Sequence, residues 1–253
     1  MRLKTVVLGK TYQFKDVKDV SNKASELKSG DQLAGVAAEN MQERIAAKKC
    51  LSDLTIKDLY ENPCVPYEED DVILAMELLT AVSNKNEYDE RYIVNPDEMD
   101  CSLEIKPYRP IMTDIGICQE LAGEYIYYLL QVGINATNCS AMDVPREYSH
   151  EWAIIELDGE HYHVDPTFAL QYKDSLAFFC LNDEMREQYG NYDRKDFAFA
   201  DSSIIKYKID SEKYKDLWGA ETYSIDRENR KINMTIFYSG EKKEYSYKNE
   251  KFD

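Results

Sequence analysis

The stretch "SHEWAIIELDGEHYHVDPTF", residues 149–168, decides the fold. It holds all three histidines of the 253-residue chain and one of its two tryptophans. Apolar side chains occupy both parities here: Trp152 and Ile154 on one, Ala153, Ile155 and Leu157 on the other. A strand of that kind is buried on both faces. Asp158-Gly159 then predicts a two-residue type I′ hairpin turn, since both residues tolerate the positive φ it needs. Such a turn sets Trp152 opposite Asp165 and His150 opposite Thr167. His150 and Asp165 become diagonal neighbours on one face, with backbones ~7–8 Å apart, a gap that an imidazole and a carboxylate close with a hydrogen bond.

His161 and His163 share that face, opposite Glu156 and Ile154. Position 156 lies about 20 Å along the strand from His150, so one site cannot use all three histidines. His161, His163 and Glu156 together make an alternative ion site. A solvated or packed pair of histidines is the plainer reading, and neither a metal nor a cofactor is expected. One histidine works and two are bystanders.

A histidine oriented by an aspartate is half of a nucleophilic apparatus, the aspartate fixing the tautomer while the histidine takes a proton from the nucleophile. The candidate nucleophile is Cys118, in "GICQELAGEYIYYLLQVGIN" (116–135). Leu121, Ala122, Tyr125, Leu129 and Val132 give this segment one apolar face at helical spacing. Cys118 falls at the helix start, where unpaired N–H groups favour negative charge. Gly116 would let a substrate approach the backbone, and Trp152 would shield the site. The competing readings are a buried, inert cysteine and a tryptophan that only packs.

These motifs resemble the transglutaminase-like cysteine superfamily over about residues 105–170. A glycine and a cysteine open a helix, a histidine begins a strand, and an aspartate stands in a "VDPT" turn; Cys118, His150 and Asp165 match in that order. The resemblance implies an α+β, papain-like fold, with the cysteine helix packed on an antiparallel sheet. It implies acyl transfer or amide hydrolysis on a protein or peptide substrate, through a thioester on Cys118. The Cys118 backbone N–H is the expected oxyanion donor, with Tyr108 as a side-chain candidate.

The amino-terminal part reads differently. "SGDQLAGVAAENMQERIAAKKCLSD" carries Leu33, Val36, Ala37, Met41 and Ile45 at helical spacing, with Asp31 as N-cap. "LTIKDLYENP" predicts a second helix, capped by Thr55 and stopped by Pro63. Residues 1–72 resemble the amino-terminal segment of the ethanolamine ammonia-lyase large chain. In that family the barrel and the adenosylcobalamin contacts come later in the chain, so no lyase catalytic residue transfers to this one. The organisation expected is a mainly helical lyase-like segment over 1–72 and a transglutaminase-like domain over 73–253. A non-catalytic scaffold associated with ethanolamine ammonia-lyase subunits, or a truncated lyase relative, is the alternative.

Past residue 73, "DVILAMELLTAVSN" predicts a helix. "INATNCSAM", "SIIKYKID" and the hairpin "KINMTIFYSGEKKEYSYK", hinged at Ser239-Gly240, predict strands. With 31 basic against 48 acidic side chains and a net charge of −17, the surface excludes nucleic acid as a partner. The opening "MRLKTVVLGK" has too short an apolar run for a signal peptide, and no run reaches membrane-span length. A cytoplasmic protein with six reduced cysteines is expected.

Overall fold

The structure, a computed structural model, describes residues 11–14, 32–35, 70–91, 109–141, 149–190, 192–199 and 208–247. In chain order the elements are β1 (Thr11–Phe14), β2 (Gln32–Gly35), α1 (Asp71–Lys85), β3 (Glu87–Tyr88), α2 (Arg109–Thr113), β4 (Ile115–Gly116), α3 (Cys118–Gln131), β5 (Ala136–Ala141), β6 (His150–Leu157) and β7 (Glu160–Val164). There follow α4 (Pro166–Ala169), α5 (Asp183–Gly190), β8 (Phe197–Phe199), β9 (Ala220–Asp226), β10 (Lys231–Ile236) and β11 (Lys242–Ser246).

The hairpin read from Asp158-Gly159 sets the central sheet. Asp158 and Gly159 both take positive φ (53° and 77°), as a type I′ turn requires. The β6–β7 register follows from it, Leu157 opposite Glu160 and Ile154 opposite His163. The ladder stops at Ala153–Val164, one pair before Trp152 would meet Asp165. Trp152 instead faces Cys139 on β5. The four-stranded antiparallel sheet runs β7-β6-β5-β8.

Strand β6 is buried on both faces for the reason its sequence suggests. Ala153, Ile155 and Leu157 enter the main core with α1, α3 and the inward residues of the carboxy-terminal sheet, Ile232 and Met234. Trp152 and Ile154 enter a smaller cluster with Cys139, Phe197, Phe199 and Ile209. Helix α1 is capped by Asp70, which accepts from Val72 N at 3.1 Å. It is tied to α3 where the Tyr125 hydroxyl donates to the Ala75 carbonyl at 2.9 Å. The result is an α+β fold with the cysteine-bearing helix packed on an antiparallel sheet.

Several expectations are revised. Leu33, read as the start of a helix, stands in β2, which pairs in parallel with β1. Gly30 and Gly35 bracket that stretch, and weak helix formers at both ends leave strand pairing to decide. The rest of that predicted helix and the one at 54–63 lie outside the described residues. Of "SIIKYKID", residues 208–210 are not in a strand and the remainder is likewise outside. The hairpin at Ser239-Gly240 forms between β10 and β11, and an unforeseen strand, β9, completes a three-stranded antiparallel sheet.

Candidate active site

Cys118 is the first residue of α3, partly exposed and reduced. At that position its N–H has no partner inside the helix. The N-cap, Ile117, has no side chain able to accept a hydrogen bond. Glu120 at N3 instead ties down the cap residue itself, its Oε2 accepting from Ile117 N at 3.0 Å. Arg109 holds Glu120 in place, Nε to Oε1 at 2.9 Å, and reaches Asp89 at 2.6 Å. The carboxylate beside the cysteine is therefore neutralised by a guanidinium. Its attachment to the backbone fixes the turn that presents the sulfur.

His150 opens β6 and is nearly buried, 7% exposed. Its Nε2–H donates to Asp165 Oδ2 at 2.7 Å. The Cys118 side chain lies near enough to the same ring to favour its protonated form. Asp165 lies just beyond β7 as N-cap of α4, its Oδ1 accepting from Phe168 N at 3.0 Å. Pro166 follows it at N1, a position where a missing N–H costs nothing. Asp165 is completely buried.

Burial alone would drive the proton off His150. The charge and hydrogen bond of Asp165, with a further contribution from Cys118, outweigh it and hold the imidazole up at about 9. Burial raises Asp165, but His150, Arg186 and the Phe168 N–H more than reverse that, leaving its carboxyl below the usual carboxylate range.

The other sequence candidates are placed differently. Trp152 has no exposed surface, so it cannot touch a substrate. It lies against the His150 ring, centroids 5.8 Å apart, as part of the floor of the site. Gly116 is buried, and a Cβ there would stand 2.6 Å from Pro110 Cγ. Close packing against Pro110, rather than approach by a substrate, is what requires glycine. Tyr108 lies outside the described residues. His163 cannot serve as a metal ligand because both its nitrogens are occupied, by Trp152 Nε1–H at 2.9 Å and by Asp183 at 3.0 Å. Among the described residues no cluster of three histidine, cysteine or carboxylate side chains could hold an ion.

Sequence reading missed Arg186 and the aromatic layer. Arg186 Nη2 donates to Asp165 Oδ2 at 2.9 Å from a fully buried position on α5. Phe168 stacks on His150 at 4.8 Å and 11°, and Tyr192 lies parallel to it at 6.3 Å. The "DP" step after Val164 was a legible cap signal for Asp165. No sequence signal marks Arg186 as buried. Chemically, the arrangement can move a proton between sulfur and imidazole while a fixed carboxylate orients the ring.

Comparison with known proteins divides along the chain. Residues 12–92 match the family model for the ethanolamine ammonia lyase large subunit (EutB). Over 70 residues the chain is 60% identical to the ethanolamine ammonia-lyase large subunit of Salmonella typhimurium and 59% identical to that of Escherichia coli K12. The match covers 28% of this chain and 16% of each lyase, so the chain spans about a sixth of the length of these relatives. The family match continues through α1, a helix whose apolar side chains lie in one core with those of α3. Among solved structures, a crystal structure of a TGase aligns with 51% of this chain and 34% of its own at TM-score 0.36 and 14% identity. A candidate cysteine protease from Cytophaga hutchinsonii aligns with 49% and 39% at TM-score 0.30 and 15% identity.

Proposed function

We propose that the chain carries out cysteine-dependent acyl transfer or amide hydrolysis, of the transglutaminase-like or cysteine-protease-like kind, on a protein or peptide substrate. The observation that carries this reading is the His150 imidazole, bonded to the Asp165 carboxylate at 2.7 Å with the Cys118 side chain near enough to raise its proton affinity. In the reaction the Cys118 thiolate attacks an amide carbonyl, and the carbon–nitrogen bond breaks as His150 gives its proton to the departing amine. The resulting thioester is resolved by water or by a second amine, whose proton returns to His150. Asp165 keeps the ring oriented and stabilises its charged form. The backbone N–H of Cys118, in the first turn of α3, stabilises the developing oxyanion.

The test is mass spectrometry of the chain after exposure to glutamine-containing peptides. A covalent acyl adduct, or a deamidated or crosslinked peptide, should appear with the parent and be absent with Cys118→Ala. Alkylation of Cys118 by iodoacetamide no faster than that of the other five cysteines would sink the proposal.

A second reading rests on the lyase-like match at residues 12–92. In it the segment docks onto ethanolamine ammonia-lyase subunits in the cytoplasm and the remainder binds without turnover. Co-migration with purified lyase subunits, unaffected by Cys118→Ala, would support it, and independent migration would remove it. No helix among the described residues is long and apolar enough to cross a membrane.

A further inference from the structure

Among the described residues Arg186 is the largest fully buried charged side chain. Its Nη2 reaches Asp165 Oδ2, while its Nε and Nη1 have no hydrogen-bond partner among the described residues. Its guanidinium carbon lies 4.2 Å from the Trp152 ring centroid, 5.0 Å from that of Tyr192 and 5.3 Å from that of Phe168. The same three rings surround His150. A buried cation with two unsatisfied nitrogens is expensive, and cation–π contacts recover part of that cost. An apolar chain of similar length would fill the space without it, so packing alone does not account for a guanidinium here.

What the cation does follows from where it binds. Asp165 Oδ2 accepts from both His150 Nε2 and Arg186 Nη2, and Oδ1 accepts from the Phe168 N–H. The carboxylate is therefore held at three points and cannot rotate away from the ring. Its negative charge is also divided between two cations. We propose that Arg186 is a positioning residue for the acyl-transfer site, fixing Asp165 and drawing off part of its charge so that His150 releases its proton more readily than it would beside an unshared carboxylate. This rests on the acyl-transfer reading above. The groups that set the charge state of His150 are then Asp165 at the end of β7, Cys118 on α3, Arg186 on α5, Tyr192 in the following loop and Glu151, next to it in β6.

The experiment is an NMR titration of the His150 ring in the full chain, beside the pH profile of Cys118 alkylation by iodoacetamide. Arg186→Gln keeps a donor for Oδ2 but removes the charge; Arg186→Lys keeps the charge. With glutamine, His150 should hold its proton to higher pH by roughly one unit, a tenfold change in proton affinity. The alkaline limb of the alkylation profile should move with it. With lysine both should stay close to the parent. A glutamine variant that folds but titrates like the parent would overturn the proposal, and so would a lysine variant shifted upward as the glutamine variant is. His150→Gln serves as the control for the reading beneath. If it leaves Cys118 alkylation unchanged, the acyl-transfer site itself is wrong. If it slows alkylation while the Arg186 variants shift nothing, the failure belongs to Arg186.

Discussion

Two histidine–aspartate pairs flank the Trp152 indole and are driven in opposite directions. The His150 and His163 rings lie 5.8 and 6.0 Å from it, each imidazole bonded through Nε2 to a carboxylate. Burial works against the charged form of both. His150 nevertheless rises to about 9, while His163 falls to about 4. The difference lies at the second nitrogen and in the cations nearby. His163 Nδ1 accepts from Trp152 Nε1–H, so protonating it would set donor against donor. Two cations, Arg186 and Arg194, also act against a charge on His163. His150 has the Cys118 side chain nearby instead, which favours the charged ring. On the proposed reading one pair serves as the base, and the other is a strut that carries Trp152.

The sharpest way to break that comparison is to remove each ring in turn. His150→Gln should lower thioester formation at Cys118 by ~10³-fold or more, as loss of the base does in nucleophilic triads. Its fold should survive. His163→Gln should do the reverse. It leaves the Trp152 N–H and Asp183 imperfectly paired in the interior, at a cost of about 1–3 kcal/mol in denaturant unfolding. Alkylation of Cys118 should change little. If the two variants affect reactivity equally, the division of labour is wrong.

Stability against pH sharpens the same contrast, because the two shifts have opposite signs. His150 binds its proton more tightly when folded, so its contribution is fully present below its unfolded value near 6.5 and is lost as pH rises through about 9. This is the same coupling that lowers Asp165 and is counted once. His163 resists protonation when folded, so acidification from about 6.5 towards 4 favours the unfolded chain. Each swing is on the order of 3 kcal/mol. Urea midpoints taken across the range should peak near pH 6.5. In His163→Gln the acid-side decline should flatten, and an unchanged decline there would show that other groups cause it.

How much of this was legible depends on whether a signal was local. The Asp-Gly turn and the apolar parity of residues 152–157 specify strand, register and burial together, because a one-residue slip would turn every side chain to the wrong face. His150 and Asp165 were readable as neighbours for that reason, while Cys118 rested on its place at a helix start and on the resemblance of the motifs. Yet Asp165 meets His150 from a helix cap rather than from the ladder itself, since Pro166 cannot donate to a sheet. Arg186 was not readable. It sits in the polar segment "DEMREQYG", whose pattern suggests a solvated helix, and its burial depends on rings contributed by residues 152, 168 and 192. Trp152 was read as shielding the site, and it lies against the His150 ring with no exposed surface. Alternation gives a face, and only packing shows whether that face is covered.

Trp152→Phe is the smallest change that separates base from strut. It keeps most of the ring volume beneath His150 and removes the indole N–H that occupies His163 Nδ1. An acceptor left unpaired in the core should cost about 1–2 kcal/mol near neutral pH. Freed of that donor, His163 should accept a proton more easily, its value climbing from about 4 back towards 6.5. The acid-side loss of stability should then shrink relative to the parent, although the variant begins less stable. His150 still has Asp165 and Cys118, so iodoacetamide should modify Cys118 at close to the parent rate. A large fall in that rate without unfolding would mean that the two pairs communicate through Trp152 and that His163 is no mere support.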